Sequence, residues 1–170
     1  VAAFAVMNLV VLPLSAAAAI LIGVVVWHER PGQKRAAVGK VESDGLRVTR
    51  GGAETVLAPG ASLFAGDALV APARVDIRLA DGSRVRLDRA TSLTLSAPAA
   101  GERARIDLAS GRIFLRVAKA PGRFLVQAGT AAVEALGTVF GVAASREGAA
   151  VSVYEGRVRL ESAGRQIELA

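Results

Sequence analysis

The stretch Val75-Asp76-Ile77-Arg78-Leu79-Ala80-Asp81-Gly82-Ser83-Arg84-Val85-Arg86-Leu87-Asp88 decides the fold class. Apolar and charged residues alternate on both sides of Asp81-Gly82, which is the period of a strand with one face in a core and the other in water. Asp-Gly between two such runs is a strong short signal for a hairpin. The period continues outward. Arg105-Ile106-Asp107-Leu108 leads through Ser110-Gly111 to Ile113, Leu115 and Val117, which reads as a second hairpin. Val151-Ser152-Val153-Tyr154 reaches Glu155-Gly156 and resumes in Val158-Arg159-Leu160, a third, and Ala163-Gly164 then leads to Ile167-Glu168-Leu169. Helical spacing is not sustained after residue 40, so 41–170 reads as an all-β domain of antiparallel hairpins. Beyond Trp27 the aromatic residues are Phe64, Phe114, Phe124, Phe140 and Tyr154. The expected core is therefore narrow and aliphatic, as in a thin sandwich or a short coil of stacked strand pairs.

Upstream of this domain the composition changes. All 36 Asp, Glu, Lys and Arg residues follow Trp27, and the first 27 positions are uncharged. As a helix at ~1.5 Å per residue, that run would reach roughly 40 Å, more than the ~30 Å hydrocarbon core of a bilayer. Residues 1–27 therefore read as one membrane-spanning helix or an uncleaved signal anchor, with Trp27, His28, Glu29 and Arg30 suited to the interface. Residues 28–40, with Pro31, Gly32 and several basic side chains, read as a juxtamembrane linker. Counted alone, Arg30, Lys34, Arg35 and Lys40 would favour a cytoplasmic flank.

The composition excludes several chemistries. The chain has no Cys, and its single His is His28, so thiolate catalysis, Cys-based zinc binding, a His-based metal centre and a Ser-His-Asp triad all lack their residues. Lys119 has no distinctive serine motif beside it for a Ser-Lys dyad. Asp67 and Asp81 each adjoin a glycine, where a carboxylate caps a turn amide more readily than it serves acid/base chemistry. No cofactor and no metal is expected. The charge is basic, +6 overall, with 18 Arg among the 21 cations. Nucleic acid is not the expected partner, because stacking aromatics are few.

Several fragments occur in a telling order: Gly66-Asp67-Ala68-Leu69, Asp81-Gly82-Ser83, Gly111 leading to Phe114 and Val117, Phe124-Leu125-Val126, Ala135-Leu136-Gly137-Thr138-Val139-Phe140, and Val153-Tyr154-Glu155-Gly156. This series resembles the FecR family, membrane-spanning regulators of extracytoplasmic-function sigma factors. The resemblance covers about residues 41–170, and it departs where the family's Arg-Pro-Phe is replaced by Gly122-Arg123-Phe124. It implies a flattened coil of antiparallel strands, exported to the periplasmic side of a bacterial inner membrane, which overrides the basic flank. It also implies a protein partner in the envelope, and a sigma factor held by a cytoplasmic segment that would have to precede Val1. The expected role is a non-catalytic sensor. The alternative is an envelope module that binds a ligand or polymer with no cytoplasmic output.

The motif residues Asp81, Gly82, Gly137, Thr138, Phe140, Glu155 and Gly156 read first as structure. Gly137 would permit a bulge or close approach, the Thr138 hydroxyl would bond a nearby amide, and Phe140 would fill the core. The arginines that alternate with core positions read as a solvated strand face that also discourages edge association, with a basic surface for an acidic partner such as anionic lipid or cell-wall polymer as the alternative. Phe114 differs: it shares a face with Arg112 and Arg116, opposite Ile113 and Leu115, and these three form the candidate partner contact.

Overall fold

The computed structural model describes residues 36–135, 137–162 and 164–170. The expected membrane helix, and the linker as far as residue 35, lie outside the described residues. The strands are β1 (Ala37–Val41), β2 (Leu46–Arg50), β3 (Ala53–Leu57), β4 (Ser62–Phe64), β5 (Ala68–Ala71), β6 (Val75–Leu79), β7 (Arg84–Leu87), β8 (Thr91–Ser96), β9 (Glu102–Arg116), β10 (Arg123–Ala128), β11 (Ala131–Ala135), β12 (Val139–Ser145), β13 (Gly148–Glu155), β14 (Val158–Ser162) and β15 (Arg165–Leu169). Among the described residues there is no helix long and apolar enough to cross a membrane. β1 takes in residues 37–40, the end of the segment assigned to the linker. Five residues show too little periodicity to announce a strand, and this one forms because β4 and β6 pair with it on either side.

The strands join in one open sheet with two sections. The first runs β4, β1, β6, β7, β9, β12, β13. The second runs β3, β2, β5, β8, β9, β10, β11, β14, β15. Only β9 belongs to both. The hairpin expected at Asp81-Gly82 is present as β6 and β7, with Ile77 opposite Val85 and Val75 opposite Leu87. The Asp81 carboxylate accepts from the Ser83 amide at 2.9 Å, and Gly82 supplies the positive φ of 85° that the turn needs. β14 likewise pairs antiparallel with β15, Ser162 opposite Arg165 and Leu160 opposite Ile167.

Three expectations are corrected. First, Ser110-Gly111 does not reverse the chain: β9 runs straight through it as a single strand of fifteen residues. Ser92 pairs with Ser110 and Leu93 with Leu108, leaving Ala109 as an extra bulged residue. The bulge shifts the buried set from Ile106 and Leu108 to Ile113 and Leu115. At Gly111 (φ 94°) the strand passes so close to Thr91 that an added Cβ would lie 2.5 Å from its Cα. The Thr91 hydroxyl completes the join, donating to the Arg112 carbonyl at 2.9 Å and accepting from the Arg112 amide at 3.1 Å. Second, Glu155-Gly156 is a crossover. β13 pairs with β12 in the first section and β14 with β11 and β15 in the second, because alternation on both sides of a glycine turn is the same for a hairpin and a crossover. Third, not every pair is antiparallel: β10 lies parallel to β9, because the chain leaves the second section along β9 and re-enters it at the starting end.

Alternating positions of both sections form one buried cluster, including Leu63, Ile77, Val85, Ile113, Leu115 and Val142 from the first and Leu69, Leu93, Ile106, Val126 and Val133 from the second. Phe124 and Phe140 are the largest fully buried side chains, and most of the rest are Leu and Ile. The core is the narrow aliphatic one expected.

Candidate interaction surface

Because Ile113, Leu115 and Val117 face the core, β9 turns Arg112, Phe114 and Arg116 outward, and all three are exposed. Phe114 stands opposite Gly141 of β12, which has no side chain to cover it. Tyr154 of β13 reaches across that gap. Its ring centroid lies 5.4 Å from that of Phe114 with the planes at 58°, a tilted contact of the favourable kind. The two aromatics remain 36% and 68% exposed, so the pair is open to a partner. Tyr154 was not singled out in the sequence, although its phase, opposite to Val151 and Val153, was the available signal.

The surface beside this pair is basic. Arg116 stands opposite Arg84 of β7, Arg84 opposite Arg78 of β6, and Arg78 opposite Lys40 of β1. All four are exposed. Arg78 is paired with Glu42 at 2.6 Å, whereas Lys40, Arg84 and Arg116 have no ion-pair partner among the described residues. In the next row Arg86 donates to Asp76 at 2.8 Å, and that hydrogen bond raises the arginine's pKa above its ordinary value. Like charges in direct cross-strand register are destabilising, so this row is carried by the fold at a cost.

Of the motif residues, one expectation is corrected, at Thr138. Phe140 is fully buried. Gly137 (φ 66°) lies so close to Lys119 that a Cβ would meet its Cγ at 2.3 Å, and at Gly156 (φ 84°) a Cβ would meet Thr138 Cγ2 at 2.7 Å. Gly137 thus packs against Lys119, and Gly156 against Thr138. Its hydroxyl, expected to bond an amide, is buried without a hydrogen-bond partner; the methyl, not the hydroxyl, makes the contact with Gly156, and only the Thr138 carbonyl is engaged, by Val117 N at 2.9 Å. Glu155 is exposed opposite Val139. Around Gly137 and Gly156 opens a cavity of about 390 Å³ lined also by Lys119, Glu134, Arg157, Arg159 and Glu168. Most of its charges are matched, Arg157 with Glu168 at 3.2 Å and Arg159 with Glu134 at 3.7 Å.

Asp67 and Asp81 also serve as turn caps. Asp67 is fully buried. It takes Arg50 in a two-point contact at 2.7 and 2.6 Å and the Phe64 amide at 2.9 Å. These bonds raise the pKa of Arg50, whose guanidinium also lies 4.5 Å over the Phe64 ring. Asp81 lies 3.5 Å from Arg103, which donates to the Ala118 and Ala120 carbonyls and so holds the 118–120 segment to the rest of the fold.

Fold and surface together define an all-β domain with an outer face that is both basic and aromatic. The chain belongs to the FecR family: the family model described as FecR protein matches residues 69–159, more than half of the 170. It is also similar to two crystal structures of a proposed anti-sigma factor from Parabacteroides distasonis ATCC 8503. The first has 23% identity and a TM-score of 0.54, covering 60% of this chain and 50% of that one. The second has 25% identity and a TM-score of 0.52, covering 59% and 48%. This chain therefore spans about half the length of those structures. The search of curated proteins finds no match.

Proposed function

We propose that this is the non-catalytic sensing domain of a single-pass membrane regulator that controls an extracytoplasmic-function sigma factor, and that it works by binding a protein partner on the periplasmic side. Family membership and the likeness to anti-sigma structures support the regulatory role. The observation that carries the binding role is the exposed Phe114–Tyr154 pair flanked by Arg112 and Arg116. Aromatics with neighbouring arginines are the residue types that anchor protein interfaces. The back-and-forth path between the two sections fits the flattened coil of the family. Binding can transmit a signal only if the partner prefers one state of the regulator over another, so the output depends on differential affinity for this face.

The complete gene, deleted in its own host, tests this reading. The expected result is a changed set of transcripts that share one sigma-factor promoter type, restored on complementation. Unchanged sigma-dependent transcription together with altered envelope integrity would instead establish a ligand- or polymer-binding module without cytoplasmic output.

A further inference from the structure

We infer that the cation row Lys40–Arg78–Arg84–Arg116 is a docking surface for an anionic phospholipid bilayer. The row crosses four neighbouring strands in register. At ~4.8 Å per strand it spans about 14 Å. Three of its members are exposed and unpaired among the described residues; of the acidic side chains beside the row, Glu42 is engaged by Arg78 and Asp76 by Arg86, and Glu155 stands beyond Val139 at the Arg116 end. The face therefore presents an excess of positive charge whose mutual repulsion an anionic surface would relieve.

Two observations favour a bilayer over an acidic protein. Phe114 and Tyr154 stand exposed beside the row, the amphipathic aromatic and basic combination of membrane interfaces. The row also begins where the domain's tether enters. Only the twelve residues 28–39 separate Trp27 from Lys40, a reach of at most about 43 Å. A face tethered this closely meets the bilayer at high effective concentration, so weak attraction suffices to dock it. This inference rests on the reading of residues 1–27 as membrane-inserted. Because Arg116 belongs to both surfaces, a protein engaging Phe114 and Tyr154 has to displace the bilayer from that end of the row.

The chain has no cysteine, so Ser152→Cys places a single environment-sensitive fluorophore on the exposed outer face beside Gly141. The labelled full chain is incorporated into nanodiscs of phosphatidylcholine alone, or of phosphatidylcholine mixed with phosphatidylglycerol. The expected result is a blue shift with phosphatidylglycerol that high salt reverses. Arg84→Gln with Arg116→Gln should lower the docked-to-undocked ratio about 30-fold, from about fivefold per cation. Incorporation into both discs with identical emission would overturn the docking inference while leaving the membrane reading intact. Failure to incorporate into either disc would overturn both. A shift produced by polyglutamate but not by phosphatidylglycerol would overturn the lipid assignment in favour of an acidic protein.

Discussion

At Gly111, Gly137 and Gly60 the left-handed backbone is the same kind of constraint, but the surroundings differ. A Cβ at Gly111 would stand 2.5 Å from the Thr91 Cα, one at Gly137 would stand 2.3 Å from the Lys119 Cγ, and one at Gly60 would meet nothing within 4 Å. Backbone atoms cannot step aside, a lysine side chain can in part, and open space asks only for the left-handed conformation, about 1–2 kcal/mol for a residue with a Cβ. Alanine substitutions should therefore destabilise in the order Gly111, Gly137, Gly60, with Gly111→Ala above about 2 kcal/mol. Thermal unfolding checks the order, and a Gly60 variant as damaging as the Gly111 variant would refute it. Asp67→Asn is expected to cost about 2 kcal/mol, because it loosens a two-point charged contact inside the fold. Denaturant midpoints decide this, and a change below a few tenths would show that the contact is not structural. Gly137 and Asp67 could be recognised as structural from their neighbours in sequence. The failure of the Thr138 hydroxyl to find a partner could not, since it depends on which section packs over it.

Among the elements, the β6–β7 hairpin was legible because alternation and Asp81-Gly82 agree on one local answer. β9 was not, because a bulge at Ala109 and a left-handed Gly111 give the same glycine-punctuated alternation as a hairpin. The available clue was the change of parity from Ile106 and Leu108 to Ile113 and Leu115. The cation row was hidden for a related reason: the alternating arginines were visible, but which of them stand side by side follows from register across four strands. The row makes a stability prediction of its own. Arg84→Thr removes a charge opposite both Arg78 and Arg116 and introduces a good strand former, so it should raise stability by about 0.5 kcal/mol in low salt. The gain should shrink as salt screens the row. A melting temperature that falls, or a gain independent of salt, would contradict the proposed repulsion.

For the whole molecule, the change in composition at Trp27 and the all-β class were plain from the sequence, while the two-section path and the parallel β9–β10 pair arise from long-range pairing that no local pattern encodes. The ordered motifs were enough to place the chain in its family. The candidate contact was half visible: Arg112, Phe114 and Arg116 follow from strand phase, and Tyr154 joins them only through the β12–β13 pairing over Gly141. The account holds that this face is a place of contact and not a support of the fold. Phe114→Ser with Tyr154→Ser, in the complete protein at its normal level in its host, tests that claim by transcription from the regulated sigma-dependent promoters. Since the pair lies outside the core, stability should fall by less than about 1 kcal/mol while the transcriptional response is lost. A full response from the double variant would contradict the account.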